Sequence, residues 1–561
     1  MKQIFFTVYV ALIALFITSN THACTNFIVT KGASTDGSVM ISYSADSHVL
    51  YGELYHFPAA KNKPGTMRQI VNWDTGKIMG QIPEIAETFN VVGNVNEFQV
   101  SIGETTYGGR EDLWAENGIL DYGSLIYIAL QRSKTAREAI KWIAELTAQY
   151  GYCSEGESFS IADKNEAWIF EMIGKGEGEK GVVWVARLIP DGYICAHANQ
   201  ARITTFAFQK TNDWFNHKQE TFNSEDVITF ARKKGYFNGE DKDFSFSDTY
   251  NPVTFDGTRY CDLRVWAFFN HVSTEMQAYW DYATGNDLKF DANGYCTNRM
   301  PLWIKPNRKI SQIDMMRFMG DHLEGTALDM TKDFGAGPYE CPYRWRPMTW
   351  KAYGTKFIHE RTTGTQQTGF CFVAQLRGYL PDKIGAINWF GADDCANALF
   401  VPFIASTSVI PHAFAKGTGT MMDFTMESAF WITNLVTNFC YTRYNAIHPE
   451  IVAKQDELYK GYLADIQAFD AKWKDSKDVQ GFQKAVNEFS DKNAKKFHTE
   501  WTNLFGYLFA KYLDGNIKTR QAIPDGHKYT NPKVSQPPFP DWYYKKIIES
   551  NGENLRYKGA E

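Results

Sequence analysis

The chain opens with an apolar run over residues 4–17, preceded by Lys2 and followed by a polar stretch that ends at Ala23. Beyond it, short β-rich runs alternate with segments of helical period. Residues 25–31 and 38–43 are rich in Ile, Val, Thr, Phe and Tyr. They flank a stretch holding the turn dipeptide Asp36-Gly37, which predicts a hairpin. Alternation puts Cys24, Asn26 and Ile28 on one face, at the open end of a sheet edge, with Asp46 just past the return strand. Thr135 reads as the N-cap of a helix in which Ala136, Ala139, Ile143 and Leu146 recur, and Gly151 stops it. Further strands are expected at 193–197, 370–376 and 384–390, and another helix around 311–323. From about 421 to 515 the pattern is almost wholly helical; its charges mark solvated faces, with a lid or homo-oligomer contact as the minority reading. The prolines after Ile523 predict an extended strap over the surface. No repeat or low-complexity linker divides residues 24–561, which read as one domain.

Composition narrows the field. The 561 residues are 44% hydrophobic and 22% charged, an ordinary globular mix that excludes wholesale disorder, collagen-like repeats and a membrane bundle. Net charge is −6 without a long basic run, so a nucleic-acid partner has no electrostatic footprint. The first apolar run is short for a bilayer, which takes ~20 residues, and none of that length follows. Residues 1–23 have the layout of a secretory signal peptide, which implies an exported protein, periplasmic or extracellular. Cleavage after Ala23 makes Cys24 the first mature residue.

That position gives Cys24 a free α-amine beside its thiol. A thiol attacks as thiolate, and an α-amine with a pKa of ~7.7–8.0 is a base suited to neutral pH. Such a residue can attack an amide, hold a thioester and release it to water. The competing reading of a cysteine at this place is a lipid anchor; Thr21-His22-Ala23 fits badly the small and aliphatic residues such a signal uses. The other eight cysteines are widely spaced and read as small core residues, although export permits disulfides. Residues 176–181 spell a dinucleotide fingerprint, but the strand-like run 182–187 follows where a helix must open, so they read as a charged hairpin loop. No zinc-peptidase helix, serine elbow or phosphate loop is spelled out, and no metal or cofactor is implied.

The order Cys24-Thr25, Ala33-Ser34, Asp36-Gly37-Ser38 and Asp46 resembles the start of the dipeptidase family of N-terminal-nucleophile (Ntn) cysteine peptidases, related to secernin, penicillin V acylase and choloylglycine hydrolase. The resemblance continues through 156–163 and 166–172, which look like the family's central hairpin. It extends to Ala196-His197-Ala198-Asn199-Gln200-Ala201-Arg202-Ile203, to Pro338 with the 342–347 run, and to Ala386-Ile387-Asn388-Trp389. It implies an α+β fold, the Ntn four-layer αββα sandwich, here with a largely helical C-terminal extension. It also implies hydrolysis of short peptides with Cys24 as nucleophile, Asp46 orienting its amine or thiol, Asn199 donating to the oxyanion and Arg259 supplying positive charge, with Arg264 as rival. Relatives often carry an arginine where this chain has Tyr43, and Glu104 is an acid suited to a dipeptide's amino group. The same machinery acting on an N-acyl amide, of bile-salt or penicillin type, is the second enzymatic reading. A lipid-anchored binding protein acylated at Cys24 is the third.

Overall fold

In the computed structural model, residues 23–116, 118–344 and 348–559 are described; the leader and Trp345-Arg346-Pro347 of the later motif lie outside them. The expected hairpin forms from β1 (Ala23–Val29) and β2 (Val39–Asp46), antiparallel, with Cys24 opposite Ala45 and Ala23 opposite Asp46. Its connection turns through Gly37 at φ +80°, with Asp36 Oδ1 accepting from the Ser38 backbone at 3.0 Å. Then come β3 (Ser101–Tyr107), helices α1 (Tyr122–Arg132) and α2 (Ala136–Tyr150), and β4 (Gly156–Ala162), β5 (Ala167–Gly174), β6 (Val182–Leu188) and β7 (Ile194–His197). Thr135 caps α2 by accepting from the Glu138 backbone, and Gly151, at φ +77°, ends it. The glycine-rich 176–181 segment joins two antiparallel strands, β5 and β6, so the fingerprint is a hairpin loop.

The chain goes on through α3 (Leu263–Asn270), α4 (Gln312–Phe318), β8 (Thr368–Leu376), β9 (Ala386–Ala392) and β10 (Val401–Ile404). One seven-stranded sheet runs Trp303–Ile304, β7, β1, β2, β8, β9, β10. An eight-stranded sheet runs Thr221–Asn223, β6, β5, β4, β3 and three two-residue strands. The two sheets face each other, β3 and β4 lying over β1 and β2. Helices α1 and α2 cover the outer face of the eight-stranded sheet, where Ile128 and Ile143 join Phe159, Trp168 and Phe170 in one apolar cluster. Helices α3 and α4 contact the seven-stranded sheet, and Phe268 stacks on Phe27 with centroids 4.2 Å apart. Every residue of β2 and β8 is buried, as a sheet covered on both faces requires.

The join between the sheets is partly polar. His197 bonds Thr105 Oγ1 through Nδ1 at 2.7 Å and Ser160 Oγ through Nε2 at 2.8 Å, and burial lowers its pKa to about 3, so the bridging ring is neutral. Gly103 makes close approach possible: a Cβ there would overlap Asn26 Oδ1 and press on the Tyr43 Cβ.

The C-terminal region consists of α5 (Ala429–Tyr441), α6 (Tyr444–Trp473) and α7 (Val479–Tyr512), with α7 lying against β10. Residues 421–428 form turns where a helix was expected, because Thr420 Oγ1 and backbone bonds close a tight loop on Asp423. The tail is not simply extended either. It forms a hairpin, Ile517–Thr519 with Lys533–Ser535, and an exposed helix, Asp541–Asn551, entered through Pro540, whose fixed φ suits a helix start. Among the described residues no helix is long and apolar enough to cross a membrane, and no cluster of His, Cys, Asp or Glu is arranged to hold a metal ion. All nine cysteines are unbridged, and all but Cys341 are buried.

Candidate active site

Cys24 stands at the start of β1, 4% exposed, where the two sheets meet. Its Sγ donates to Glu104 Oε1 at 3.3 Å and lies 3.7 Å from the Tyr43 hydroxyl, which itself donates to Glu104 Oε1. Glu104 comes from β3 on the opposite sheet, and Asn26 Nδ2 donates to its carbonyl at 2.5 Å, holding the sheets in register at the site. Burial, then the charges of Glu104 and Asp46, push the Cys24 thiol well above its ordinary value. In this environment the sulfur is therefore a neutral thiol.

The main chain of residue 24 is held on the other side. The Cys24 backbone nitrogen donates to Asn199 Oδ1 at 3.1 Å, while Arg264 Nη1 donates to the Cys24 carbonyl and to Thr25 Oγ1, each at 2.7 Å. Arg264 Nη2 reaches Asn199 Oδ1 at 2.8 Å and the Ala198 carbonyl at 3.1 Å. Asn199 sits at φ +62°, a left-handed conformation that asparagine tolerates, and its Nδ2 donates to the Thr106 carbonyl at 2.6 Å. The segment after it is pinned by Glu171, whose carboxylate oxygens accept from the Arg202 and Ile203 backbones at 2.6 and 3.0 Å.

Asp46 closes β2 and is buried; Oδ1 accepts from Thr368 Oγ1 at 2.7 Å and Oδ2 from Ser44 Oγ at 3.4 Å. Burial lifts its carboxyl to about 7, against the Thr368 bond and the charges of Arg264 and Arg361. Behind Glu104 lies Glu157, raised by burial and by Glu104, to which it is hydrogen-bonded. The space in front of Cys24 is a cavity of about 40 Å³. It shares Leu50, Trp73, Asp74 and Tyr127 with a groove of about 920 Å³.

The structure thus brings Cys24, Asp46 and Asn199 together, with Tyr43 and Glu104 beside the sulfur. It does not bring Arg259 to them as the cation of the nucleophile. Arg259 forms a bidentate pair with Glu360, at 2.9 and 2.7 Å, and donates to the Thr284 carbonyl. Arg264, its rival, is the arginine that touches residue 24. Both lie on one helical stretch, where the π-turn Gly257–Asp262 precedes α3 and changes which side chains face β1. Arg361 carries no sequence signal of its role, since it reaches the site from the loop before β8.

The model of peptidase family C69 matches this chain over residues 23–60 and 54–457. A protein of Latilactobacillus sakei named "Probable dipeptidase" is 24% identical over 485 residues, spanning 83% of this chain and 91% of that protein. "Probable dipeptidase B" of Streptococcus pyogenes serotype M1 is 22% identical over 512 residues, 88% of this chain and 93% of its own length. "Probable dipeptidase A" of Streptococcus pyogenes serotype M3 (strain SSI-1) is 24% identical over 449 residues, 75% and 84% of the two chains.

Proposed function

The chain belongs to peptidase family C69 and is a peptide hydrolase, and on that premise we propose that it is an exported dipeptidase whose nucleophile is the N-terminal thiol of Cys24. Relatives named as dipeptidases along nearly their whole length support the substrate class. The facing sheets with helices on their outer sides accord with the four-layer αββα sandwich of Ntn hydrolases. The observation that carries the mechanism is the fixing of residue 24 by both ends: nitrogen on Asn199 Oδ1, carbonyl on Arg264, sulfur between Tyr43 and Glu104.

Removal of residues 1–23 turns that nitrogen into an amine. The amine takes the thiol proton, directly or through one water, and the thiolate attacks the scissile carbonyl carbon. The resulting oxyanion is stabilised by donors at the site, Asn199 among the candidates. Collapse breaks the C–N bond as the ammonium returns its proton to the leaving amine. Water then attacks the thioester, the amine again acting as base, and frees the acid and the thiol. Asp46, bonded to Thr368, orients the amine from the end of β2.

The test uses the processed protein. Intact mass and N-terminal sequencing should find Cys24 as residue one with a free amine. Cys24→Ala should abolish turnover of a dipeptide panel, and Cys24→Ser should leave only a small residue of it. Full activity in Cys24→Ala sinks the mechanism, and turnover of N-acyl amides with none of dipeptides moves the substrate class to the acylase type.

A further inference from the structure

Near the nucleophile lies a second guanidinium, half-buried, two of whose nitrogens have no partner. Nε and Nη2 of Arg361 are shut off from solvent and have no hydrogen-bond partner, and no ion pair is formed by this arginine among the described residues. The Tyr260 hydroxyl is buried and unpartnered in the same way. The two lie on segments that already build the site. Tyr260 sits in the π-turn before α3, and its carbonyl accepts from Arg264 Nε at 2.9 Å. Arg361 follows Glu360, the partner of Arg259, and precedes Thr368, the partner of Asp46.

The ion pair of Glu360 with Arg259 holds the chain at Arg361 against the turn that carries Tyr260, and Arg264 links that turn to the Cys24 carbonyl; burial and then Arg264 pull Arg361 down to about 10, with Cys261, Asp46 and Cys24 opposing. Tyr260 in turn feels the charge of Arg361. Arg264 and Arg361 both act on the Asp46 carboxyl, whose own pKa is lifted toward neutrality by burial. An unpaired buried charge with orphaned donors is expensive, and it persists where an anionic partner arrives later. Both residues keep a partly exposed edge.

We propose that Arg361 and the Tyr260 hydroxyl bind the α-carboxylate of the substrate, fixing the scissile bond one residue before a free C-terminus. The inference rests on the peptidase reading and deepens it. A planar guanidinium and a phenol are donor types that a carboxylate accepts. The pair makes the site a ruler: a dipeptide satisfies it, whereas a carboxamide lacks the charge and a tripeptide carries its carboxylate too far along.

The experiment compares kcat/KM for a dipeptide panel, the same dipeptides as C-terminal carboxamides, and tripeptides extended by one residue. The unmodified enzyme should favour the free dipeptide by roughly 10²-fold or more, the scale on which a site built for a charged group rejects its neutral analogue. Arg361→Gln should raise KM for the dipeptide far more than for the carboxamide, so that the preference disappears. Arg361→Lys should restore part of the preference, and Tyr260→Phe should lose part of it. Equal turnover of dipeptide and carboxamide by the unmodified enzyme overturns the proposal without needing a variant. So does an Arg361→Gln enzyme in which both substrates fall in parallel, since that outcome places the arginine on the reacting centre. Cys24-dependent hydrolysis of N-acyl amides alone would instead overturn the peptidase reading beneath it.

Discussion

The sulfur of Cys24 is boxed between a carboxylate, Glu104, and a phenol, Tyr43. The carboxylate opposes ionisation, and the phenol, whose proton goes to Glu104 here, can donate to a thiolate by turning from that carboxylate. The phenol's own pKa is pushed well above 10, by burial first, so it stays a donor across the working range. A positive charge is still needed to bring the thiol down, and the ammonium of a processed Cys24 would supply it at the shortest range. Tyr43→Phe should therefore lower kcat/KM roughly 10- to 100-fold, the worth of one hydrogen bond to a charged group. An unchanged rate would show that the phenol does not touch the thiolate during turnover. Cys24, Asp46 and Asn199 were legible because each lies in a short local motif. Arg264 was not separable from Arg259, because the two are five residues apart across a π-turn and no local pattern says which of them meets β1. Arg361 was invisible, since only tertiary packing carries its loop to the site.

Between β1, β2 and β3 the backbones approach closely enough that one methyl group matters. Gly103→Ala places a Cβ against the Asn26 carboxamide and the Tyr43 Cβ, and so pushes β3 off the strand that carries the nucleophile. Overpacking of this kind costs about 1–3 kcal/mol, and the shift of Glu104 away from Cys24 should remove most activity in protein that still folds. Wild-type kinetics in a folded Gly103→Ala variant would contradict that packing. The hairpins β1–β2 and β4–β5 and helix α2 are evident in the sequence because turn residues, caps and periodicity agree there. Where a local interaction overrides the period, the reading fails. The expected helix at 311–323 is only Gln312–Phe318, since Gly320 must pass close to the Ala396 backbone and Leu323 takes φ +63°. Helix Asp541–Asn551 was hidden among prolines that suggested continuous extension, one of which marks its start.

Across the whole molecule, buried carboxyls couple stability to pH. Burial raises Glu171 and Asp393 to about 7 and Glu157 well above 4.5. Each folded-state value exceeds the unfolded one, so the folded chain keeps protons that the unfolded chain has released. The contribution is complete below the unfolded values near 4 and is lost as pH rises through about 7. His197 and His448, lowered by burial, oppose this only below their ordinary value of 6.5. The melting temperature of the chain beginning at Cys24 should therefore fall by a few °C between pH 6.5 and 8, and Asp393→Asn should flatten the slope. A melting temperature that climbs over that interval would refute the assignment. The register of β1 has a further consequence, one of timing. Ala23 is itself a strand residue paired with Asp46, so in the finished fold the bond before Cys24 runs inside a sheet. A processing protease needs an extended, accessible stretch of substrate, which that bond offers only until β2 closes over it. On the proposed mechanism, maturation and folding would be in a race: a chain that folds first would be trapped as a stable, silent precursor.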